Sequence, residues 1–284
     1  MVRRLGVALL NWERRHHYLA QHRRSRVVSG VASYARAYLD AYENYNYDVS
    51  SNGERRVLQT LSRFDLQTIF DVGANIGEWT ELASRLHRQA AIHAFEVVPT
   101  TRVRLEENVQ GRPNVVVADV GLLNEVSEVS VRHFPDASTL STVLHFTVAG
   151  EGSERATHSR VPSMTVDSSV TTGDAYMADL GIDRVNLLKI DVEGAEHLVL
   201  EGFADALSNG RIDAVQFEYG YVSTLTHFLL RDFYELFMRS GFVVGKIYPA
   251  AVEFTGYSVE AEDFRGPNYL AVRKDRRDLV AALA

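Results

Sequence analysis

Residues 70–79 read FDVGANIGEW, and this stretch says most about the architecture of the chain. An apolar strand leads into Asp71, and Gly73 and Gly77 then bracket a short turn that feeds a helix. Glycine lets the backbone turn sharply and lets a ligand approach it closely. The first turn of the helix offers free N–H groups and the positive end of its dipole. The stretch predicts a loop that holds a nucleotide-like cofactor, although the G-x-G-x-x-G of dinucleotide folds is absent.

A second stretch, LLKIDVEGAEHLVLEG at residues 187–202, reads as a buried strand that ends in an acidic turn and continues as a helix. Asp191 and Glu193 follow this strand, and Glu218 closes the next strand along the chain. In open parallel sheets, ligands bind beyond the carboxyl ends of the strands. We therefore expect the three carboxylates to converge at the edge that carries the glycine loop.

Strands and helices alternate around these two stretches. The expected strands are 68–72, 91–95, 114–118, 126–134, 159–166, 185–190, 214–217, 242–248 and 268–272. The expected helices are 54–64, 78–86, 100–109, 174–180, 195–206 and 226–239. This alternation is typical of a parallel sheet that is covered by helices on both faces.

Two further acids lie where such a sheet would contact a nucleoside. Glu96 ends the second strand, beside the glycine loop, where an acid can bind both hydroxyls of a ribose. Asp119 ends the third strand, at the expected adenine position, although an acid in a turn is an almost equally good interpretation.

Taken together, these residues resemble the FkbM-type family of methyltransferases, which use S-adenosylmethionine (SAM). The matching motifs are DVGANIG (71–77), FE (95–96), KIDVEGAE (189–196), VLEG (199–202) and FEY (217–219). The resemblance covers roughly residues 50–245. Each motif alone is unspecific, whereas the combination is specific.

The resemblance implies an α/β protein with the class I Rossmann-like methyltransferase fold, a seven-stranded, mostly parallel sheet whose last strand is antiparallel. It also implies O-methylation, commonly of hydroxyls on sugars or on polyketide and other natural products. By position, Glu96 belongs to the ribose and Asp119 to the adenine edge. The loop around the methionine part of SAM comprises, again by position, Asp71, Gly73, Asn75 and Gly77.

An alcohol is a poor nucleophile, so its methylation requires an in-line approach and removal of the hydroxyl proton. Asp191 is the first candidate for a chemical or substrate-positioning role. Glu193 and Glu218 follow as base, orienting group or metal ligand. A divalent metal held by these carboxylates would instead lower the pKa of the hydroxyl, and the sequence leaves this choice open.

Other side chains are candidates for the acceptor site. His145 falls in the insertion that is expected to cover the substrate, and His227 follows Glu218 on the loop into a helix. Each is a candidate base. Tyr219 and Tyr221 are expected to line a sugar or ring-bearing acceptor through stacking and hydroxyl contacts.

Composition narrows the function classes. The 284 residues contain no Cys, which excludes disulfides, zinc–thiolate sites and a cysteine nucleophile. The net charge is -7, but residues 1–36 hold eight Arg and one acid, so the remainder carries -14. Such an acidic body is a poor match to nucleic acid. No stretch approaches the roughly 18 apolar residues of a spanning helix, and we expect a soluble, cytoplasmic protein.

Two regions are expected along the chain. Residues 1–50 form an N-terminal helical extension, and residues 51–284 form a methyltransferase domain with a β-rich insertion around 120–170. An aromatic stripe on the second helix comprises Tyr34, Tyr38, Tyr42 and Tyr45. Packing of this stripe on the body is the leading interpretation, and a homodimer contact or a substrate wall is the alternative.

The leading functional hypothesis is a SAM-dependent O-methyltransferase acting on a small hydroxylated acceptor, a saccharide or glycosylated natural product. A NAD-type oxidoreductase is the enzyme alternative, against which the missing G-x-G-x-x-G counts. RNA 2′-O-methylation is a further option that the acidic body disfavours. The non-enzyme alternative is a binding module that docks a partner through its Arg-rich N-terminal helices.

Overall fold

The structure is a computed structural model that describes residues 12–135, 141–144 and 163–284. The chain divides into two compact units, residues 1–45 and residues 46–284. The described helices of the first unit are α1 (Trp12–Gln21) and α2 (Arg26–Tyr42). The hydroxyl of Ser25 caps α2 by accepting a hydrogen bond from Val28 N. Within the described part of the chain, no helix has both the length and the apolar character needed to cross a membrane.

The second unit alternates strands with helices along most of its length. Its helices are α3 (Glu54–Leu61), α4 (Glu78–Leu86), α5 (Pro99–Asn108), α6 (Gly173–Asp179), α7 (Glu196–Glu201), α8 (Ala204–Ser208), α9 (Ser223–Thr226), α10 (Leu230–Arg239) and α11 (Arg277–Leu283). Its strands are β1 (Thr68–Val72), β2 (Ala91–Phe95), β3 (Val115–Ala118), β4 (Gly121–Leu123), β5 (Ser127–His133), β6 (Met164–Thr172), β7 (Val185–Ile190), β8 (Ile212–Glu218), β9 (Phe242–Ile247), β10 (Val252–Phe254) and β11 (Asn268–Arg273).

The larger sheet has the order β10-β9-β11-β8-β7-β1-β2-β3. The strands from β8 to β3 pair in parallel, and β11 is antiparallel to both β8 and β9. The expected class I Rossmann-like methyltransferase fold is therefore confirmed. Its consequence for the site is that the carboxyl ends of β1, β2, β7 and β8 meet at one edge.

The sheet has one strand more than the expected seven. β10 pairs antiparallel with β9 at the outer edge of the sheet. Between the two strands, Tyr248 N donates a hydrogen bond to Ala251 O over 2.9 Å. A strand of three residues is too short to show a two-residue period, which is why the sequence pattern did not indicate it.

Two expected helices are each broken into two. The helix expected over 195–206 breaks at Gly202, where a Cβ would lie 2.0 Å from Leu123 O because the chain touches β4 there. The helix expected over 226–239 breaks at His227, whose φ of +60° ends α9. α10 then begins with Leu229 N donating to the carboxylate of Asp232 over 2.8 Å.

The insertion forms a second, three-stranded sheet in the order β4-β6-β5. β6 begins at Met164 and ends at Thr172, whereas a strand was expected over 159–166. Residues 159–162 of that prediction lie outside the described residues. β4 leaves the end of β3 and brings residues 121–123 to the wall of the site described below.

The core lies on both faces of the larger sheet. Phe70 and Leu188 pack on one face, and Ile69 and Leu187 pack on the other. Successive side chains of a strand point to opposite faces of the sheet. When helices cover both faces, odd and even positions of the strand must therefore both be apolar. Polar side chains are then left for the strand ends, where the site lies.

Candidate active site

The glycine loop follows β1 at the shared edge. Gly73 has a φ of +80°, and a Cβ there would lie 1.8 Å from Asp191 O, so only glycine permits this approach. Gly73 N and Ala74 N both donate hydrogen bonds to Phe95 O, which ties the loop to the end of β2. Gly77 also has a positive φ, +90°, and α4 begins at the next residue. The loop is thus a fixed backbone surface beside the first turn of a helix.

Glu96 follows β2 and is held by the backbone. Its carboxylate accepts hydrogen bonds from Asn75 N over 3.0 Å and from Val98 N over 2.8 Å. Burial raises the pKa of Glu96, and these two hydrogen bonds oppose that shift. The carboxylate is fixed beside the loop with lone pairs left for a ligand.

A cavity opens at this edge, and its interior and open mouth together enclose about 760 Å³. Its described wall combines the loop, the ends of β2 and β7, β4 and residues of the insertion. The lining residues are Val72, Gly73, Asn75, Phe95, Glu96, Val97, Gly121, Leu122, Leu123, Ser141, Thr142, Val143, Val170, Asp191, Val192, Glu193 and Ala195. We call it the main cavity.

A second cavity of about 710 Å³ lies on the other side of the loop, and we call it the tail cavity. Its lining residues are Tyr47, Val49, Glu54, Gly73, Ala74, Asn75, Ile76, Gly77, Glu78, Trp79, Lys189 and Asp191. Gly73, Asn75 and Asp191 line both cavities. The two cavities therefore lie side by side and meet at these shared wall residues, Asp191 among them.

Lys189 is the buried cation of the site. Its Nζ lies 3.3 Å from Asp71 Oδ1 and 3.2 Å from Asp191 Oδ2, and 5.7 Å from the centre of the Trp79 ring. Burial lowers the pKa of Lys189, but the charges of Asp191, Asp71 and Glu54 outweigh it and raise the pKa above its ordinary value. The ammonium group therefore stays charged and forms an ion pair with Asp191.

Asp191, Glu193 and Glu218 come together as the sequence predicted. One carboxylate oxygen from each lies within 4.8 Å of the others. Burial favours a raised pKa for Asp191, but Lys189 and a hydrogen bond with Glu218 hold it below the ordinary value. Burial and the charges of Asp191 and Glu193 raise the pKa of Glu218 well above the ordinary range. Lys189 thus favours the ionised form of Asp191, and the neighbouring acids favour the protonated form of Glu218.

Glu193 is the third member of this group. Its backbone has a φ of +53°. Burial and the neighbouring charge of Asp191 raise its pKa well above the ordinary value. Three carboxylates are a donor set that suits a hard divalent cation, and an ionised carboxylate among them is also a candidate base.

Sequence reasoning missed two buried carboxylates of this region. Glu196 accepts hydrogen bonds from Val192 N and Gly194 N and so holds the acidic turn, and burial raises its pKa to about 7. Glu54, at the start of α3, lines the tail cavity. Its one signal in the sequence is the motif Asn52-Gly53-Glu54, which indicates only a helix start.

Two predicted cofactor residues do not line either cavity. Asp71 is fully buried, where it accepts a hydrogen bond from the hydroxyl of Thr80 over 2.6 Å and pairs with Lys189. Asp119 is exposed after β3, and its backbone oxygen accepts a hydrogen bond from Arg102. Gly73, Asn75 and Glu96 do line the main cavity. The cofactor roles of all these residues stay predictions.

The structure corrects the acceptor prediction for Tyr219. Its side chain is only 1% exposed, stacks on Phe264 and donates its hydroxyl hydrogen bond to Glu262, so it belongs to the core. Tyr221 is half-buried and His227 is exposed, and neither lines the two cavities. His145 lies outside the described residues.

Comparisons with known proteins agree with this geometry. The model of the methyltransferase FkbM domain matches residues 71–242, which is more than half of the chain. The match contains the glycine loop, Glu96 and the three carboxylates after β7 and β8.

Three relatives illustrate the range of similar proteins. Hexuronic acid methyltransferase AglP of Haloferax volcanii is 27% identical, over 69% of this chain and 76% of AglP. 31-O-demethyl-FK506 methyltransferase FkbM of Streptomyces tacrolimicus is 31% identical, over 49% of this chain and 60% of that enzyme. AMB antimetabolite synthetase AmbE of Pseudomonas aeruginosa is 32% identical, over 49% of this chain but only 8% of the synthetase. The chain thus spans less than two thirds of the second and third of these relatives. By the extent of the domain match, the chain belongs to the family of proteins with a methyltransferase FkbM domain.

Proposed function

We propose that the protein is a SAM-dependent O-methyltransferase that methylates a hydroxyl of a small acceptor, a saccharide or glycosylated natural product. One observation carries the proposal: Asp191 lies at the junction of the two cavities, beside the glycine loop and within a group of three carboxylates. A donor and an acceptor alcohol that share this groove would meet at an ionised acid.

The residues present fit the cofactor. Gly73 lets the loop pack directly against the backbone of Asp191 on the wall of the cavities, and Glu96 offers a fixed carboxylate for ribose hydroxyls. The combined cavities have room for a nucleoside in one part and an amino-acid tail in the other. Bound in this groove, SAM supplies a methyl group on a sulfonium centre.

The chain's own groups would then prepare the alcohol. Asp191, whose ionised form the neighbouring Lys189 favours, would accept the proton of the acceptor hydroxyl, and SAM held in the groove would supply the methyl group. Burial and the neighbouring acids favour the protonated form of Glu218, which would donate a hydrogen bond to Asp191 and limit the repulsion among the acids. Glu193 completes the acidic wall on the side of the main cavity.

The acceptor class is supported by the relatives. AglP is named as a hexuronic acid methyltransferase, and the FkbM enzyme as a methyltransferase of 31-O-demethyl-FK506. The first name gives a sugar acid as the substrate, and the second gives a compound that lacks a methyl group on an oxygen. Family membership also favours methyl transfer over the oxidoreductase alternative. The cytoplasmic location, the homodimer and the partner-docking role of the N-terminal helices stay predictions.

A binding measurement and a turnover measurement test the proposal together. Isothermal titration should detect micromolar binding of S-adenosylhomocysteine, the demethylated product, and no comparable binding of NAD. Transfer of labelled methyl from SAM should then be screened across uronic acids, oligosaccharides and glycosylated macrolides. Binding of NAD without binding of S-adenosylhomocysteine would refute the proposal.

The screen should be run with EDTA and with added Mg²⁺, since the three carboxylates are also a donor set for a divalent metal. Loss of turnover in EDTA with recovery in Mg²⁺ would assign the carboxylates to a metal. Turnover that is unchanged in EDTA would assign proton removal to Asp191.

A further inference from the structure

Glu54 is a buried acid on the wall of the tail cavity, and it lies outside the segment that matches the family model. The residue is 6% exposed. Asn52 Nδ2 donates to its Oε2 over 2.6 Å, and Gln216 Nε2 donates to its Oε1 over 2.5 Å. A carboxylate has about four lone-pair sites, so two remain for a ligand.

Burying a carboxylate is costly unless a positive charge or hydrogen bonds compensate it. Burial raises the pKa of Glu54, with Lys189 acting in the opposite direction. That lysine already lies between Asp71 and Asp191. The cationic charge near Glu54 is therefore shared among three acids.

The tail cavity as a whole carries an excess of negative charge. Its described ionisable wall residues are Glu54, Glu78, Asp191 and Lys189, with Tyr47 as a weak acid. A cavity with this wall favours a cationic ligand group. It also adjoins the main cavity at the glycine loop, where Gly73, Asn75 and Asp191 line both cavities.

We propose that Glu54 binds the α-ammonium group of the amino-acid tail of the cofactor, with the tail cavity as its site; this rests on the proposed SAM dependence. The nucleoside then occupies the main cavity, and the sulfur lies at the junction near Asp191. The indole N–H of Trp79, which has no acceptor among the described residues, suits the carboxylate of the same tail.

The test compares two ligands that differ in the tail. S-adenosylhomocysteine carries the ammonium and carboxylate, whereas 5′-methylthioadenosine has the same nucleoside and sulfur without them. Isothermal titration should show that Glu54→Gln weakens S-adenosylhomocysteine about tenfold or more and changes methylthioadenosine less than about twofold. The loss is specific to the charged tail because the nucleoside contacts are unchanged.

Glu54→Gln is a mild change because Gln216 Oε1 has no partner among the described residues. A flip of the Gln216 amide would present this oxygen to the new amide group. Glu253→Gln, an exposed glutamate outside the cavity, is the matched control and should bind both ligands as the wild type does.

Two outcomes overturn the inference. Unchanged affinity of Glu54→Gln for S-adenosylhomocysteine would show that Glu54 does not bind the ammonium group. An equal loss of affinity for both ligands would show that Glu54 has a purely structural role. If the Gln variant does not fold, Glu54→Asp keeps the charge one methylene shorter and should still weaken only the longer ligand. A wild type that binds neither ligand would instead refute the proposed SAM dependence itself.

Discussion

The end of β2 and the ends of β7 and β8 lie at one sheet edge, yet they hold their carboxylates in different ways. Glu96 is fixed by two backbone N–H groups and has no partner carboxylate. Asp191 and Glu218 are fixed by each other and by Lys189. Backbone donors fix a geometry, whereas coupled side chains also set protonation states. The first region is suited to binding and the second to proton transfer.

The largest effect is expected for Asp191→Asn, which keeps the shape of the side chain and removes its basicity. The single-turnover rate should fall about 10²–10⁴-fold, while affinity for S-adenosylhomocysteine stays within about threefold. Asp183→Asn, at an exposed position, is the control. A rate close to that of the wild type would show that the β7–β8 region does not take the proton.

Lys189→Met should cost stability as well as activity. The change leaves the fully buried Asp71 without its cation, and breaking a buried pair in this way typically costs about 3–5 kcal/mol; the Asp191 side chain is 39% exposed, so the loss of its pair adds little to this cost. Urea denaturation at pH 7 measures the loss. Lys274→Met, an exposed lysine, should change the free energy of unfolding by less than about 0.5 kcal/mol. An equal loss of unfolding free energy in Lys189→Met and Lys274→Met would contradict a stabilising role for the Lys189 ion pairs.

The contribution of Glu196 to the free energy of unfolding is expected to depend on pH. Its folded-state pKa of about 7 exceeds the ordinary 4.5, so the folded protein holds the proton more tightly than the unfolded chain does. Its stabilising contribution is complete below about pH 4.5, is lost as the pH rises to about 7, and is constant above that.

In Glu196→Gln the amide oxygen can keep both backbone hydrogen bonds and does not titrate. The stability of the variant relative to the wild type should therefore rise between pH 4.5 and 7, by at most about 3 kcal/mol. Denaturation curves at a series of pH values measure it, with exposed Glu201→Gln as the control. A pH-independent difference would contradict the assigned pKa.

Glu96→Gln tests the binding region. An amide must turn its NH₂ toward Asn75 N or Val98 N and loses one hydrogen bond, so affinity for S-adenosylhomocysteine should fall about tenfold. The rate at saturating SAM should change much less. A 2′-deoxy form of methylthioadenosine should lose less affinity in this variant than methylthioadenosine does. Equal losses would argue against a ribose contact.

The smallest effect is expected for Glu218→Gln, although Glu218 lies beside Asp191. If Glu218 is protonated, an amide N–H replaces its O–H donor, and the rate should stay within about threefold of the wild type. Measured beside Asp191→Asn, this variant separates the two acids. A loss of rate as large as that of Asp191→Asn would show that Glu218 acts as a base or metal ligand. It would also contradict the assignment of a proton to Glu218.

Three of the strands that carry the site could be predicted to the residue, whereas β8, expected over 214–217, spans Ile212–Glu218. The bounds of β1, β2 and β7 are those expected from their apolar runs, and the acids that follow them lie at the edge as predicted. These features depend on neighbours in the chain, which periodicity records. Acids that follow parallel strands must meet, because parallel strands share one carboxyl edge.

Side-chain orientation beyond a strand end could not be predicted. Glu218 and Tyr219 are adjacent in sequence, but Glu218 joins the acids while Tyr219 packs on Phe264. Local pattern does not say which of two neighbours the surrounding elements will cover. The same limit applies to Asp119, which ends β3 as expected and yet stays exposed outside both cavities.

The sequence by itself determined the strands that flank the glycine loop, the loop itself, the acids at the strand ends and the family. Only the tertiary structure decided that Lys189 lies between Asp71 and Asp191, and that residue 54 touches residue 216. The reason is physical. Turns and strands follow from interactions over a few residues, whereas burial, and with it each carboxylate's protonation state, depends on groups that are distant in the chain.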